Sequence, residues 1–165
     1  MLSDELNGKS IIIGTIGQDA HMIGPWVLSE TFKEAGFSVS FLGAVVPQEE
    51  FINAAIETDA VAILISSSYG MGIIDCEGMR DKCIEAGLDD IILYAGGSVA
   101  ALADLDTNWP DIERRFMEMG FNRVFRNTIT AEEAVNTLCK DIANTETSSW
   151  KRYWKTQTAR LEDAV

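Results

Sequence analysis

Five short runs rich in β-branched and other apolar residues alternate along this chain with segments that have helical apolar spacing. The runs cover residues 11–16, 39–42, 61–65, 91–94 and 123–125. Regular alternation of strands and helices predicts a parallel sheet, because each helix returns the chain to the edge where the next parallel strand begins. The sequence therefore predicts an α/β fold in which helices cover both faces of a five-stranded parallel sheet.

Five helices are predicted from apolar spacing and from residues typical of helix ends. They begin near residues 25, 47, 75, 109 and 130, and glycines at 36, 87 and 120 end three of them. The third is expected to run unbroken over 75–86 and to bury Cys76, Met79 and Cys83. Thr130 and Glu133 have the spacing of a capping box at the start of the last helix. The second helix is expected to bury Phe51, Ile52, Ala55 and Ile56.

Five units of this kind most often adopt the doubly wound strand order 2-1-3-4-5, the flavodoxin-like and more broadly Rossmann-like arrangement. In that order the first and third strands are neighbours. The loop that contains Asp19 and His21 would then lie beside residues 66–72, which follow the third strand and are rich in hydroxyl groups. Gly96 and Gly97 follow the fourth strand. The sequence thus predicts a cleft lined by an Asp/His pair, hydroxyl groups and glycines, at the edge where such folds bind ligands.

Composition narrows the class of protein. The chain has 165 residues with 13 basic and 26 acidic side chains, a net charge of -13, which argues against nucleic-acid binding. No apolar run has the roughly 20 residues needed to cross a bilayer, and the first residues do not resemble a signal peptide. We therefore expect a cytoplasmic protein without membrane partners. Its odd number of cysteines, Cys76, Cys83 and Cys139, without a Cys-x-x-Cys pair, predicts free thiols.

The composition changes near residue 144. We expect residues 1–143 to form the ligand-binding domain and residues 144–165 to form an extension rich in aromatic and basic residues. Trp150 and Trp154 are four residues apart, with Lys151, Arg152 and Lys155 close by. Packing against its own domain, contact with another chain and disorder all remain open for this extension.

Several familiar sites are absent from the sequence. It has neither the dinucleotide-binding Gly-x-Gly-x-x-Gly nor the phosphate-binding Gly-x-x-x-x-Gly-Lys-[Ser/Thr], and no Gly-x-Ser-x-Gly of hydrolases. Ser66 stands where a phospho-receiver domain has aspartate, and one histidine is too few for a typical zinc site. His21 could bind a metal whose other ligands are already in place, with Asp19 orienting its ring. A structural or surface histidine is the alternative.

The pattern Asp19-x-His21-x-x-Gly24, followed by Ser66 and then by Gly96-Gly97, resembles the three-part signature of cobalamin-binding domains. Residues 51–58, 75–88 and 108–116 are in addition similar to the small subunit of glutamate mutase, also called methylaspartate mutase. The resemblance covers about residues 9–142. Its three parts fall on three separate strand ends, which makes the match specific.

The resemblance implies a role for each matching residue. His21 would be the lower axial ligand of cobalt in place of the cofactor's own dimethylbenzimidazole, and Asp19 would orient its ring. Gly24 would let the backbone pass close to the nucleotide tail, and Ser66 would bond the displaced base. Gly96 and Gly97 would leave room for the tail. Further cofactor contacts are expected from Met22, Ile23, Ser68, Tyr69, Gly70 and Thr128.

The implied function is that of the cobalamin-binding component of an adenosylcobalamin-dependent mutase. Such an enzyme interconverts L-glutamate and L-threo-3-methylaspartate by a radical mechanism, and it needs a large barrel-type catalytic subunit, expected here in a heterotetramer. A corrinoid carrier for methyl transfer and a non-catalytic cobalamin-binding regulatory module are the alternatives. Two positions depart from the family: Ser68 replaces a leucine, and residues 126–130 lack the usual Pro-Gly-Thr.

Overall fold

The structure is a computed structural model that describes residues 4–100 and 108–146. Most of the predicted extension therefore lies outside the described residues. Its first three residues, 144–146, form the end of the last helix. The division into residues 1–143 and 144–165 stays a prediction.

Five parallel strands form one sheet in the order β2-β1-β3-β4-β5, which confirms the predicted topology. The carboxyl ends of four strands meet in one row, because Thr15 pairs with Ser66, Ser66 with Gly96, and Gly96 with Phe125. The loops of the candidate site follow these strand ends. The strands are β1 (Ser10–Thr15), β2 (Ser38–Phe41), β3 (Ala62–Ser66), β4 (Ile92–Gly96) and β5 (Arg123–Phe125).

Helices follow the strands on both faces of the sheet. They are α1 (Ile23–Ala35), α2 (Gln48–Thr58), α3 (Gly72–Asp75), α4 (Met79–Glu85), α5 (Trp109–Glu118) and α6 (131–146). Two ends confirm the sequence predictions. Gly36 ends α1 with a φ of 113° and donates its N–H to the carbonyls of Phe32 and Lys33. At the start of α6, Thr130 and Glu133 form the reciprocal hydrogen bonds of a capping box, at 2.8 and 3.1 Å.

Two apolar layers, one on each face of the sheet, hold these elements together. Side chains alternate along a strand, so Ile12 in β1 faces one layer and Ile11 and Ile13 face the other. Helices α2, α4 and α5 cover the first layer, for example through Phe51. Helices α1 and α6 cover the second layer with Phe32, Ala134, Val135, Leu138 and Ile142.

Two sequence predictions about the helices are wrong. The third predicted helix is broken into α3 and α4, because Gly78 has a φ of 77°, which lies outside the helical region. Cys76, Met79 and Cys83 are nevertheless buried as expected. Ile56 in α2 is 51% exposed, since it lies one turn beyond Ile52, at the margin of the stripe that Phe51 and Ala55 bury.

The cysteines are free, as predicted: Cys76 and Cys83 are buried and Cys139 is half-buried. Among the described residues, no helix is both long enough and apolar enough to cross a membrane.

Candidate functional site

His21 and Asp19 lie on the loop that joins β1 to α1, at the carboxyl edge of the sheet. The imidazole Nδ1 is 2.5 Å from Oδ1 of Asp19. Because a carboxylate oxygen can only accept a hydrogen bond, Nδ1 carries the proton in this bond, and in the neutral imidazole Nε2 then carries the lone pair. The histidine side chain is 69% exposed, whereas that of Asp19 is fully buried. In this pair, the exposed imidazole of His21 is held by the buried carboxylate of Asp19.

The Asp19 carboxylate is bound from two loops. It accepts the backbone N–H of His21 at 3.0 Å on Oδ1 and the backbone N–H of Ser68 at 2.5 Å on Oδ2. Burial alone would raise the pKa of Asp19, but the hydrogen bonds from His21 and Ser68 outweigh it and lower the pKa below its usual value. The carboxyl group therefore stays charged and continues to orient the ring. The bond from Ser68 confirms that the histidine loop lies against the loop after β3.

Two further bonds hold the backbone on either side of this pair. The hydroxyl of Thr15, the last residue of β1, donates to the carbonyl of His21 at 3.1 Å. The N–H of Val45, in the segment after β2, donates to the carbonyl of Asp19 at 3.0 Å. The loop that carries the imidazole is therefore hydrogen-bonded to residues at or just after the carboxyl ends of β1, β2 and β3.

A cleft of about 860 Å³ opens beside His21, above the row of strand ends. Its floor contains Ser66, Ala95 and Gly96, and α1 forms one wall. Eight of the residues predicted for the site line it: His21, Met22, Ile23, Gly24, Ser66, Ser68, Gly96 and Gly97. Most other lining side chains are apolar, which suits a large, flat or aromatic ligand group better than a highly charged one.

The backbone geometry requires glycine at only one of three glycine positions in the cleft, Gly24, Gly96 and Gly97. A Cβ on Gly97 would lie 2.5 Å from the carbonyl oxygen of Ser67, and its φ is 96°, so the fold itself needs glycine there. By contrast, a Cβ on Gly24 would meet no atom within 4 Å, and one on Gly96 would come no closer than 3.7 Å to Phe125. Folding does not demand glycine at these two positions, and both open into the cleft.

Four predicted site residues lie outside the cleft lining. Asp19 is behind the histidine ring, and Thr128 is on an exposed turn before α6. The backbone N–H of Gly70 donates to the carbonyl of Ser98 at 3.0 Å. Tyr69 bonds the neighbouring loop through its hydroxyl group, which accepts the N–H of Gln18 at 3.3 Å. Asp19, Tyr69 and Gly70 thus support the loops around the cleft.

Sequence reasoning missed the far wall of the cleft. It is formed by apolar side chains from β4, β5, α6 and the turn before α6, together with Leu28 of α1: Leu28, Tyr94, Phe125, Ile129 and Ala134. Phe125 ends β5 and so belongs to the row of strand ends, a position that the strand order alone could have indicated. Arg126 lies next to it at the cleft, with its guanidinium 5.0 Å from the Trp109 ring centroid.

Among the described residues, no group of three or more His, Cys, Asp or Glu side chains could hold a metal ion.

Comparison with known proteins identifies the family of this chain. The B12 binding domain family matches residues 9–112, which include His21, Ser66 and Gly97. The glutamate mutase sigma subunit of Clostridium tetani is 48% identical over 134 residues, which cover 81% of this chain and 96% of that protein. The chain belongs to the glutamate mutase sigma subunit family. The sigma subunit of Clostridium cochlearium has the same identity and coverage.

Solved structures confirm the fold of this sigma-subunit family member. A cobalamin-binding protein from Desulfitobacterium hafniense matches with a TM-score of 0.64 at 20% identity, over 80% of this chain and 58% of that protein. The family predicted from the Asp19, Ser66 and Gly96 motifs is therefore confirmed.

Proposed function

We propose that this chain binds cobalamin and serves as the cofactor-binding subunit of an adenosylcobalamin-dependent glutamate mutase. The observation that carries the proposal is the outward-facing Nε2 of His21, which a buried carboxylate orients at the rim of a large apolar cleft. Glutamate mutase sigma subunits from several bacteria are its relatives. The proposed enzyme activity is the interconversion of L-glutamate and L-threo-3-methylaspartate.

The residues present fit cobalamin. A corrinoid would bring most of the nitrogen ligands of cobalt with it, and His21 has a ring nitrogen that could complete the set. The base and tail of the cofactor need a long slot with little side-chain bulk. Gly24 and Gly96 leave that space without being required by the fold. Ser66 and Ser68 place polar groups in an otherwise apolar lining.

Each group of the chain then has a physical task. With cobalamin bound, His21 would offer Nε2 to cobalt, while Asp19 would keep the proton on Nδ1 and increase the basicity of the ring. The far wall, including Tyr94 and Phe125, excludes water from the base. When bound, adenosylcobalamin supplies the radical chemistry for the carbon-skeleton rearrangement.

A large catalytic subunit completes the proposed enzyme. Exposed apolar residues follow the carboxyl ends of three strands: Ile23, the first residue of α1, is 83% exposed, and Val45, Met71 and Ile74 are also exposed. Patches of this kind are typical of protein interfaces. We propose that a barrel-type partner covers this edge in a heterotetramer and binds the substrate over the cofactor.

The direct test is to bind cob(II)alamin to uniformly ¹⁵N-labelled protein and to record the electron paramagnetic resonance spectrum. Coupling of the unpaired electron to one ¹⁵N gives a two-line electron paramagnetic resonance pattern, whereas the cofactor's own ¹⁴N base gives three lines. We expect two lines for the wild type, and three lines or weaker binding for His21→Ala. Gln18→Ala, an exposed change on the same loop, is the matched control and is expected to give two lines.

A three-line pattern in the wild type would contradict the role of His21. Adding adenosylcobalamin, the large subunit and glutamate in a second experiment tests the activity, and a radical signal is expected only when both subunits are present. Binding without that signal in the complete mixture would instead favour a carrier or regulatory protein.

A further inference from the structure

The loop that carries His21 is bonded to the loop after β3 at two adjacent positions. The N–H of Ser68 binds the Asp19 carboxylate at 2.5 Å, and the Tyr69 hydroxyl accepts the N–H of Gln18 at 3.3 Å. The first bond belongs to the Asp/His pair. The second reaches the residue just before that pair, and nothing in the chemistry of the proposed ligand requires it.

Tyr69 is itself held by a carboxylate. Its hydroxyl donates to Oδ2 of Asp75, at the end of α3. The backbone there is bonded in turn from α2, because the Gln48 side-chain amide donates to the carbonyl of Asp75 at 2.6 Å and to that of Glu77 at 2.8 Å. Burial, with the bond to Asp75, raises the pKa of Tyr69, so the hydroxyl keeps its proton at working pH. A continuous series of bonds thus runs from α2 to Gln18.

Gly17 shows how closely this series approaches the histidine loop. Its φ is 71°, and a Cβ there would lie 2.5 Å from the Tyr69 hydroxyl oxygen and would also collide with the Asp75 carboxylate. The Tyr69–Asp75 pair therefore occupies the space that a side chain at position 17 would take. On its other side the turn is held by the N–H of Gly17, which donates to the carbonyl of Val46 at 3.1 Å.

We propose that Tyr69 and Asp75 form a latch over the Gly17–Gln18 turn that positions Asp19 and His21. Both are positioning residues, since neither lines the cleft. This assigns Tyr69 a different role from the cofactor contact expected from the sequence. The proposal rests on the proposed function only for its effect on cofactor binding; the arrangement of the histidine loop is a property of the chain alone.

The first test needs no cofactor. His21 is the only histidine, so its ring signals in ¹⁵N-detected magnetic resonance spectra can be assigned without ambiguity. We expect Tyr69→Phe and Asp75→Ala to reduce the share of the Nδ1–H tautomer and to broaden the ring signals, because the loop samples positions in which the Asp19 bond is open. Asp75→Asn keeps an oxygen that can accept from Tyr69 and is expected to remain close to the wild type.

Glu77→Gln is the matched control, because it removes the same charge from an exposed side chain two residues beyond Asp75. It is expected to leave the ring signals unchanged. Unchanged signals in both Tyr69→Phe and Asp75→Ala would overturn the latch.

The second test uses hydroxocobalamin as the probe. Tyr69→Phe removes two hydrogen bonds, of which only the one from Gln18 holds the histidine loop directly. Its loss is expected to weaken hydroxocobalamin binding about three- to tenfold. Unfolding of the variant by urea checks that the fold is retained. In a His21→Ala background the same change is expected to have no further effect, because the latch acts through the histidine.

The outcomes separate the two proposals. Equal weakening with and without His21 would mean that Tyr69 touches the cofactor directly, and would overturn the latch. If wild-type protein does not bind hydroxocobalamin while the ring signals still respond to Tyr69→Phe, the proposed function fails and the latch stands.

Discussion

Asp19→Asn is a stringent test of the candidate site, because it keeps the volume of the side chain and removes only its charge and one acceptor. The carboxylate is fully buried and accepts three hydrogen bonds, from the His21 ring, the His21 backbone and the Ser68 backbone. An amide has a single acceptor oxygen, so its NH₂ group must face one of these donors.

The energetic cost follows from these contacts. One buried donor left without an acceptor costs about 1–3 kcal/mol. The bonds that remain change from charge-assisted to neutral and become roughly half as strong. We therefore expect Asp19→Asn to lower the free energy of unfolding by about 2–4 kcal/mol. A domain of this size is stable by about 5–15 kcal/mol, so the variant is expected to fold.

Urea unfolding measures this loss as a decrease in the midpoint of about 1–2 M, given the usual dependence of stability on denaturant. Asp111→Asn is the matched control. It removes a carboxylate that is 52% exposed and paired with Arg114 on the surface of α5, and it is expected to cost less than about 1 kcal/mol.

Equal midpoints for Asp19→Asn and Asp111→Asn would refute the reasoning, since the buried bonds of Asp19 would then contribute no more than a surface ion pair. Asp19→Ala adds a second readout: without the carboxylate, the ring of His21 loses its preference for a proton on Nδ1, and the Nε2–H tautomer is expected to increase. A constant tautomer ratio would show that Asp19 does not orient the ring.

Two other predictions use contacts within the fold. Gly97→Ala is expected to cost about 2 kcal/mol or more, and Gly96→Ala about 0.5 kcal/mol or less, because only the first places a Cβ against the Ser67 carbonyl at positive φ; equal urea midpoints would contradict this. Arg123 donates two hydrogen bonds to the Asp141 carboxylate, at 2.6 and 2.9 Å. Burial raises the pKa of Asp141, but its hydrogen bonds outweigh burial and lower the pKa below 3.8. The contribution of Asp141 to the free energy of unfolding is therefore present above pH 3.8 and is lost as the pH falls through the pKa of Asp141 in the folded state. Asp141→Asn is expected to be less stable by about 1–2 kcal/mol at neutral pH, with a difference that disappears in acid; a difference that persists in acid would contradict the assignment.

Much of the fold could be predicted because its signals are local. The three central strands, β1, β3 and β4, are nearly continuous apolar runs, since a parallel strand covered on both faces buries both of its sides. Gly36 and the Thr130–Glu133 capping box mark helix ends through bonds within a few residues. The wrong prediction of one helix over residues 75–86 also came from relying on a local signal. Apolar spacing shows which side chains face the core, but it does not show that the non-helical φ of Gly78 ends one helix before the next begins.

The heart of the candidate site was also predictable for a local reason. Asp19 and His21 are two residues apart, so their bond requires only one turn of the loop. Ser66 and Gly96 followed from the strand order, which places the ends of β3 and β4 side by side. The family resemblance added the chemistry, because the motif residues lie on three separate strand ends.

The sequence by itself determined the strand order, the edge that carries the site and the identity of the outward-facing imidazole. Only the tertiary structure decided that Ser68 anchors Asp19, that Tyr69 and Asp75 fill the space beside Gly17, and that Gly97 serves the fold whereas Gly24 opens into the cleft. The physical reason is distance along the chain. These contacts join loops that are tens of residues apart in the chain, and their geometry depends on how the helices pack on the sheet, which no local pattern of residues records.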